Sequence, residues 1–519
     1  MKTLVLILFI CSISLAQTAF PGAVGHGKNT TGGRGGTIYH VTSLSGSNTP
    51  GTLRYGMESL TGPRNIVFDV SGYIDVTTPL KIRNGYENVS ILGQTSPAGI
   101  VIRGAEMNLH DGNVIVRFLK IAPGENAYNP GNLPPSDPNY EPADGFTVKA
   151  FSNSGPIDGV YIDHVSLMWF RDGGIDFGGG PYEGNEDVHN ITFANSIISE
   201  NIEKGQGTLV NGAYDITYYR SAIYSVSDRL PASAPRPNEG IEFINVFARY
   251  FSSGPYYRGG TKIDFINNQF ERGGRTPAPW HNFGTSSYHL FRHEPPLTGA
   301  TNANTQIYVN GNEEDGSDVD AFLRPGYEQY EVFSPTGNGQ NAFPDLLPAS
   351  MLKDSLIGKI GIDLFYDSQD LRINNLLKGI GTPATISSES QVGGYPTRPT
   401  TARSAGEDSD NDNMLDVAEI AIWGGIGVVG LSDIWTDTPG DTEVGISQYN
   451  GFPNIEKTWA YLANDLADEI SNPPSPTCAD NIQNGDETGI DCGGVCSPCA
   501  APPTVDQTNK KKSSTLIWW

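Results

Sequence analysis

Apolar and polar residues alternate along much of the chain in short runs, and each run halts at Gly, Asn or Ser. The runs read NIVFDV from Asn65, NVSIL from Asn88, NVIVRFLKI from Asn113 and GVYIDHVSLMWF from Gly159. NITFANSII from Asn190, YDITYYRSAIY from Tyr214, IEFINVFARYF from Ile241 and TKIDFINNQF from Thr261 follow. A period of two marks strands with one face buried. Helical periodicity is absent before about residue 350. Most runs start some 20 to 30 residues apart. Strands at that spacing, with no helices between them, predict an all-β solenoid in which each coil buries its apolar face against its neighbours. A many-stranded sandwich is the rival on periodicity alone. The one wide interval holds GENAYNPGNLPPSDPNYEPADG, with five prolines and four acids. Loops of that length inside a compact domain are functional or disordered.

The texture changes near residue 400. EDSDNDNMLDVAEIAIW sets Asp408, Asp410, Asp412 and Asp416 at calcium-loop spacing, with Glu419 placed to close the loop. Alternate carboxylates in a turn project oxygens inward, as a hard cation requires. The position usually held by glycine is Asn413, and a solvated acidic turn capping a helix is the alternative. NIEKTWAYLANDLADEI from Asn454 predicts an amphipathic helix. The expected organisation after the β-solenoid (17–400) is therefore a calcium-loop and helix segment (401–470), a Pro-rich linker (471–477), a stapled module (478–499) and a tail (500–519).

Composition adds the setting. Lys2, an apolar run and the small Ala16 predict a secretory signal peptide over residues 1–16, and no later run is long enough to span a bilayer. The chain is expected to be secreted and monomeric. Of five cysteines, Cys478, Cys492, Cys496 and Cys499 crowd one short segment. In an exported chain they read as two disulfides of unspecified pairing, with a zinc site as the poorer match. A net charge of −25 argues against a nucleic-acid partner. It also repels acidic polymers, so an acidic substrate would need local cations or a bound metal to override the field.

The candidate chemistry is spread over successive coils. The long loop supplies Glu125, Asp137, Glu141 and Asp144, and the next coil Asp163, His164, Arg171, Asp172 and Asp176. Lys204 lies in ENIEKGQG and Arg229 in SVSDRLP. Stacked coils set such residues side by side. A carboxylate cluster without a surplus of His or Cys favours Ca²⁺ over zinc. Each residue also has a plainer reading. Asp163 or His164 faces inward from an alternating strand, Asp172 and Asp176 flank glycines as turn residues, and the cations are ordinary surface charges. On residues alone, a carbohydrate-active enzyme and a binding or adhesive solenoid stand level.

FPGAVGHGKNTTGGRGGTIYHVTSLSGSNTPGTLRYGM, RNIVFDVSGYIDV, ILGQTSPAGIVIRG, ADGFTV, YIDHVSLMW, ISENIEKG and DRLP, in that order, resemble secreted bacterial pectate lyases of polysaccharide lyase family one. The likeness covers roughly residues 19 to 275. The Asp408–Glu419 segment and the NGFPNIEKTWAYLANDL helix resemble the end of such proteins, and the cysteine module resembles small C-terminal modules of secreted bacterial proteins. The resemblance implies a right-handed parallel β-helix with a small mixed C-terminal extension. It implies Ca²⁺-dependent β-elimination of 4-linked galacturonan, an acidic polysaccharide. It places Arg229 as the base, Lys204, Arg171 and Arg236 toward substrate, and Asp144, Asp172 and Asp176 toward calcium. The chain departs from the family pattern at Pro142, where an acid often stands, and at Ala234, where a second arginine often stands.

Overall fold

The computed structural model describes residues 17–137, 139–140, 142–151, 155–178, 187–234, 239–275, 292–294, 304–318, 330–332, 335, 343, 346–404, 406–438 and 451–465. Residues 1–16, expected to be a signal peptide, and Glu141, Arg236 and the four C-terminal cysteines lie outside them.

The alternating runs become strands of three sheets. The first holds ten strands, from Thr37–Val41 and Arg64–Phe68 through Ile157–Asp163 to Gln306–Asn310. The second runs from Gly72–Asp75 through Ser166–Met168 to Ser317–Asp318. The third contains Leu80–Ile82, Met107–Leu109, Phe146–Lys149, Ile175–Gly178, Thr208–Asn211, Ala232–Ala234, Tyr256–Arg258 and Arg292–Glu294. Apart from the final hairpin of the second sheet, the strands pair in parallel. The chain visits the sheets cyclically, one coil at a time, which makes a right-handed parallel β-helix.

Register explains why the solenoid holds. Ile66, Ile91, Val116, Ile162, Phe193, Tyr218, Phe243, Phe265 and Val309 are level with one another on nine adjacent strands of the first sheet. All nine side chains are buried. At roughly 1.5–3 kcal/mol per fully buried large apolar side chain, this single interior stack rivals any polar term in the molecule. Its aromatic members meet edge-on or tilted, with Tyr218 and Phe243 centroids 5.3 Å apart, the arrangement their quadrupoles favour.

The Asn residues that open or break the runs have a structural cause. Asn88, Asn113, Asn190, Asn245 and Asn267 all take positive φ, between 49° and 65°, a left-handed corner that Asn tolerates better than branched residues do. Asn113 also ties coils together, donating to Asn88 Oδ1 at 2.7 Å and accepting from the Thr31 amide at 2.7 Å.

Beyond the strands, the chain folds back along the solenoid. Leu352, Leu356, Ile373 and Leu377 pack against Val101, Ala122, Ile197 and Phe247 of the second sheet. Lys120, buried under this layer, bonds Asp367 at 3.0 Å and Asp370 at 2.9 Å. Residues 401–463 continue on the same body. The Ser71 amide donates to Thr401 O at 2.9 Å, and Arg34 Nε meets Glu456 at 2.7 Å. The helices Asp416–Trp423 and Asn454–Leu462 form where the sequence turns amphipathic. One compact unit ends at Ala463 and a second begins at Asn464. Among the described residues, no helix is long and apolar enough to cross a membrane.

Candidate active site

The third sheet collects most of the candidate residues because successive coils enter it in register: Asp144, Asp172, Lys204 and Arg229 lie in the turns before successive strands, and Asp176 lies on a strand. Along Phe146–Lys149, Phe146 and Val148 are buried while Thr147 and Lys149 face out. On the next strand, Ile175 and Phe177 are buried and Asp176 faces out, level with Thr147. Asp144 lies in the corner before the first of these strands. Its carboxylate accepts from the Gly173 amide at 2.7 Å and from Thr147 Oγ1 at 3.0 Å. Burial, then repulsion from Asp176, Asp172 and Glu106, lifts the Asp144 carboxyl well above the usual range.

Asp176 is pushed up to about 7, chiefly by burial, with Arg229 pulling down and Asp172 pushing up. One of its oxygens lies 3.9 Å from Arg229 Nη1. The other is buried and accepts no hydrogen bond. Lys204 Nζ bonds Asp172 at 2.7 Å. Arg229 itself sits at a left-handed corner, φ 64°, where its carbonyl accepts from the Thr208 amide at 2.9 Å. A Cβ at Gly207 would lie 2.4 Å from that carbonyl oxygen, so glycine there lets the Arg229 corner close onto the preceding coil.

Arg171 is held differently. Its Nε donates to Glu203 at 2.8 Å and another guanidinium nitrogen to the Tyr140 hydroxyl at 2.5 Å, while Tyr140 donates to Glu203 at 2.8 Å. This triad braces the long loop against the coil carrying Lys204. Ala234 is buried opposite Asn211 and brings no charge. Asp163 and His164 do not join the cluster. Asp163 ends a strand of the first sheet, 1% exposed and paired with Arg117 at 2.7 Å, and His164 stacks on Phe118 and bonds Asp363 at 2.9 Å. The inward, hydrogen-bonded alternative was the correct one for Asp163.

The sequence reading missed Glu106. It precedes the strand Met107–Leu109, and its carboxylate accepts from the Asp144 amide at 3.1 Å. Its place just before a site-sheet strand, one coil ahead of Asp144, is the signal that would have found it. Glu106, Asp144, Asp172 and Asp176 thus gather near Lys204 and Arg229, with Lys149 also pulling on Asp176, and one buried oxygen of Asp176 accepts no hydrogen bond. Carboxylate oxygens are the donors a hard divalent cation takes, but no three of these four acids bring such oxygens within 4.8 Å of one another.

The second acidic group lies in the C-terminal loop. Carboxylate oxygens of Asp408, Asp410 and Asp416 come within 4.8 Å of one another, as do those of Asp410, Asp412 and Glu419. Burial, reinforced by the neighbouring carboxylates, pushes Asp412 up to about 6 and Glu419 up to about 7. Each keeps a buried oxygen without a hydrogen-bond partner. Asn413 takes φ 74°, which explains how asparagine serves at the customary glycine position.

No protein-family model matches the chain. It is similar to a probable pectate lyase C of Emericella nidulans, 26% identical over 328 residues, covering 62% of this chain and 69% of that one. A probable pectate lyase C of Aspergillus terreus is 27% identical over 427 residues, covering 80% and 89%. The pectate trisaccharide-lyase of Bacillus licheniformis is 25% identical over 213 residues, 39% of this chain and 54% of that one. Among solved structures, a point mutant of Bacillus subtilis pectate lyase overlaps 67% of this chain and 98% of its own, at 15% identity and TM-score 0.47. The cedar-pollen allergen jun a 1 overlaps 65% and 92%, at 18% identity and TM-score 0.44. The two relatives of widest overlap named here are fungal, so the bacterial narrowing of the sequence resemblance finds no support in them.

Proposed function

We propose that this chain is an exported polysaccharide lyase that degrades pectate, a 4-linked galacturonan, by calcium-dependent β-elimination. The observation that carries the reading is the cluster at the entry to the third sheet, where Arg229 stands 3.9 Å from Asp176 and Glu106, Asp144 and Asp172 lie in the turns before neighbouring strands. The three lyase relatives support the substrate class.

The chemistry follows from the bonds involved. The C5 proton of a uronate leaves, the C4–O bond to the leaving sugar breaks, and a C4–C5 double bond forms. Asp144, Asp172 and Asp176 would hold Ca²⁺, which neutralises the substrate carboxylate and makes C5 more acidic. Arg229 takes the C5 proton from the outward face of the sheet. Lys204 is tied to Asp172 at 2.7 Å in the free protein. With a cation held at Asp172, Lys204 would be free to meet a uronate carboxylate and to stabilise the enolate-like charge. Arg171 stays in the Glu203–Tyr140 triad and shapes the floor of the site, and Arg236 stands near enough in sequence to Ala234 to supply the second substrate arginine. The C-terminal loop, with its two orphaned buried oxygens, would hold a separate structural Ca²⁺. Guanidinium groups keep their proton to roughly pH 12 or beyond, so the rate should climb into alkaline pH.

The test is incubation with polygalacturonate and Ca²⁺, with and without chelator, following the ultraviolet absorbance of the unsaturated product. Arg229→Lys should lower the rate on the order of 10²–10⁴-fold with an unchanged circular dichroism spectrum, because lysine keeps the charge without the planar fork. Reducing ends without absorbance would show hydrolysis. Binding with neither signal, on any polyuronate, would leave a non-catalytic carbohydrate-binding β-helix.

A further inference from the structure

We infer that the groove continues from the acidic cluster onto a basic, aromatic ledge that holds additional uronate residues of a long substrate. The inference rests on the proposed acidic-polysaccharide reading. Lys81 is level with Asn108, Asn108 with Thr147, and Thr147 with Asp176. These outward positions form one row across four strands of the third sheet, leading from the cluster to Lys81. In the adjoining row Lys149 is level with Gly178, and its aliphatic stem lies 3.4 Å from where a Cβ at position 178 would stand. His110 Nδ1 lies 2.9 Å from the Lys149 carbonyl oxygen. The His110 ring is 4.7 Å from Phe151, and Lys149 Nζ lies 5.7 Å over that phenyl ring. Phe151 is 50% exposed.

The charge on this ledge runs against the rest of the molecule. Arg83 adds a third cation, sharing Glu58 with Arg54 at 3.2 and 2.6 Å. Lys81 and Lys149 have no carboxylate partner among the described residues. Burial, opposed by the hydrogen bond to the Lys149 carbonyl and assisted by the charges of Lys81, Lys149 and Arg83, holds His110 below its ordinary value. On a chain of net charge −25, such a basic ledge is where a polyanion can settle despite the global field. The half-exposed phenyl ring offers an apolar surface to a sugar ring. Neighbouring strands lie about 4.8 Å apart, so the row across four strands spans about 14 Å.

The test compares wild type with the double variant Lys81→Gln/Phe151→Ala on long polygalacturonate and on trigalacturonate. KM for the polymer should rise about tenfold, with kcat and the trimer constants unchanged and the salt dependence of polymer binding shallower. An unchanged polymer KM overturns the inference, as does an equal loss on the trimer. Affinity electrophoresis in polygalacturonate gels reads the ledge even if no uronan is cleaved. Retardation of wild type that weakens in the double variant upholds the ledge. Equal retardation, no retardation, or stronger retardation by single-stranded DNA overturns it.

Discussion

Glu242 offers a prediction with an unusual sign. It is fully buried on the first sheet, level with Thr217 on one side and Asp264 on the other. Thr217 donates to one oxygen at 2.8 Å, His26 Nδ1 lies 3.5 Å from the same oxygen, and the second oxygen accepts nothing. Burial, with further push from Asp264 and Asp215 against the pull of Thr217 and Lys28, raises this carboxyl from 4.5 to about 8. A folded state that holds the proton more tightly than the unfolded chain is favoured at low pH. Stability from this group is therefore fully present below about pH 4.5 and is lost as pH rises to about 8. At ~1.4 kcal/mol per pH unit, the upper bound is about 5 kcal/mol, and local relaxation reduces it to about 2–3 kcal/mol. Glu242→Gln removes the titration. Urea unfolding at about pH 9 should show the variant more stable than wild type by about 2–3 kcal/mol, while near pH 5 it should be equal or up to about 1 kcal/mol weaker from imperfect amide pairing. Parallel pH dependence in the two proteins, or a less stable variant at about pH 9, would refute the reasoning.

Two more predictions bear on the frame and the cation sites. Asp163→Asn takes from Arg117, which is 3% exposed, the carboxylate held at 2.7 Å. Equilibrium unfolding should show a loss of about 3–5 kcal/mol, and a loss under about 1 kcal/mol would show that Arg117 is satisfied without it. Saturating Ca²⁺ should raise the melting temperature of wild type, corresponding to about 2.7 kcal/mol at a hundredfold excess over Kd. Glu419→Gln should remove most of that stabilisation while elimination stays chelator-sensitive, and a simultaneous loss of both would merge the two sites into one.

The solenoid was legible because its signal is repetitive. Alternation recurs in every coil and corner asparagines in several, so the stack from Ile66 to Val309 follows from a pattern visible many times over. The acidic loop at Asp408–Glu419 was equally legible, since its oxygens are gathered by residues close in sequence. The groove was legible in part. Sequence order named Asp144, Asp172, Asp176, Lys204 and Arg229, which the fold brings to one end of the third sheet, but not Glu106 beside Asp144, nor the network in which Glu203 and Tyr140 hold Arg171 at 2.8 and 2.5 Å. The ledge of Lys81, Lys149 and Phe151 had no local motif to announce it.

What the amino-acid order determined by itself was periodicity: which residues face in, which face out, and where each coil turns. That information is local, set by the two-residue pleat and by side chains that accept a left-handed corner. What only the tertiary structure decided was lateral neighbourhood. Register between coils, set by the jigsaw of the interior, brings Asp176 level with Thr147 and within 3.9 Å of Arg229, more than fifty residues away. Charges so far apart in sequence alter one another only after packing excludes water between them, and this is why the acids of the groove acquire their chemistry from the fold.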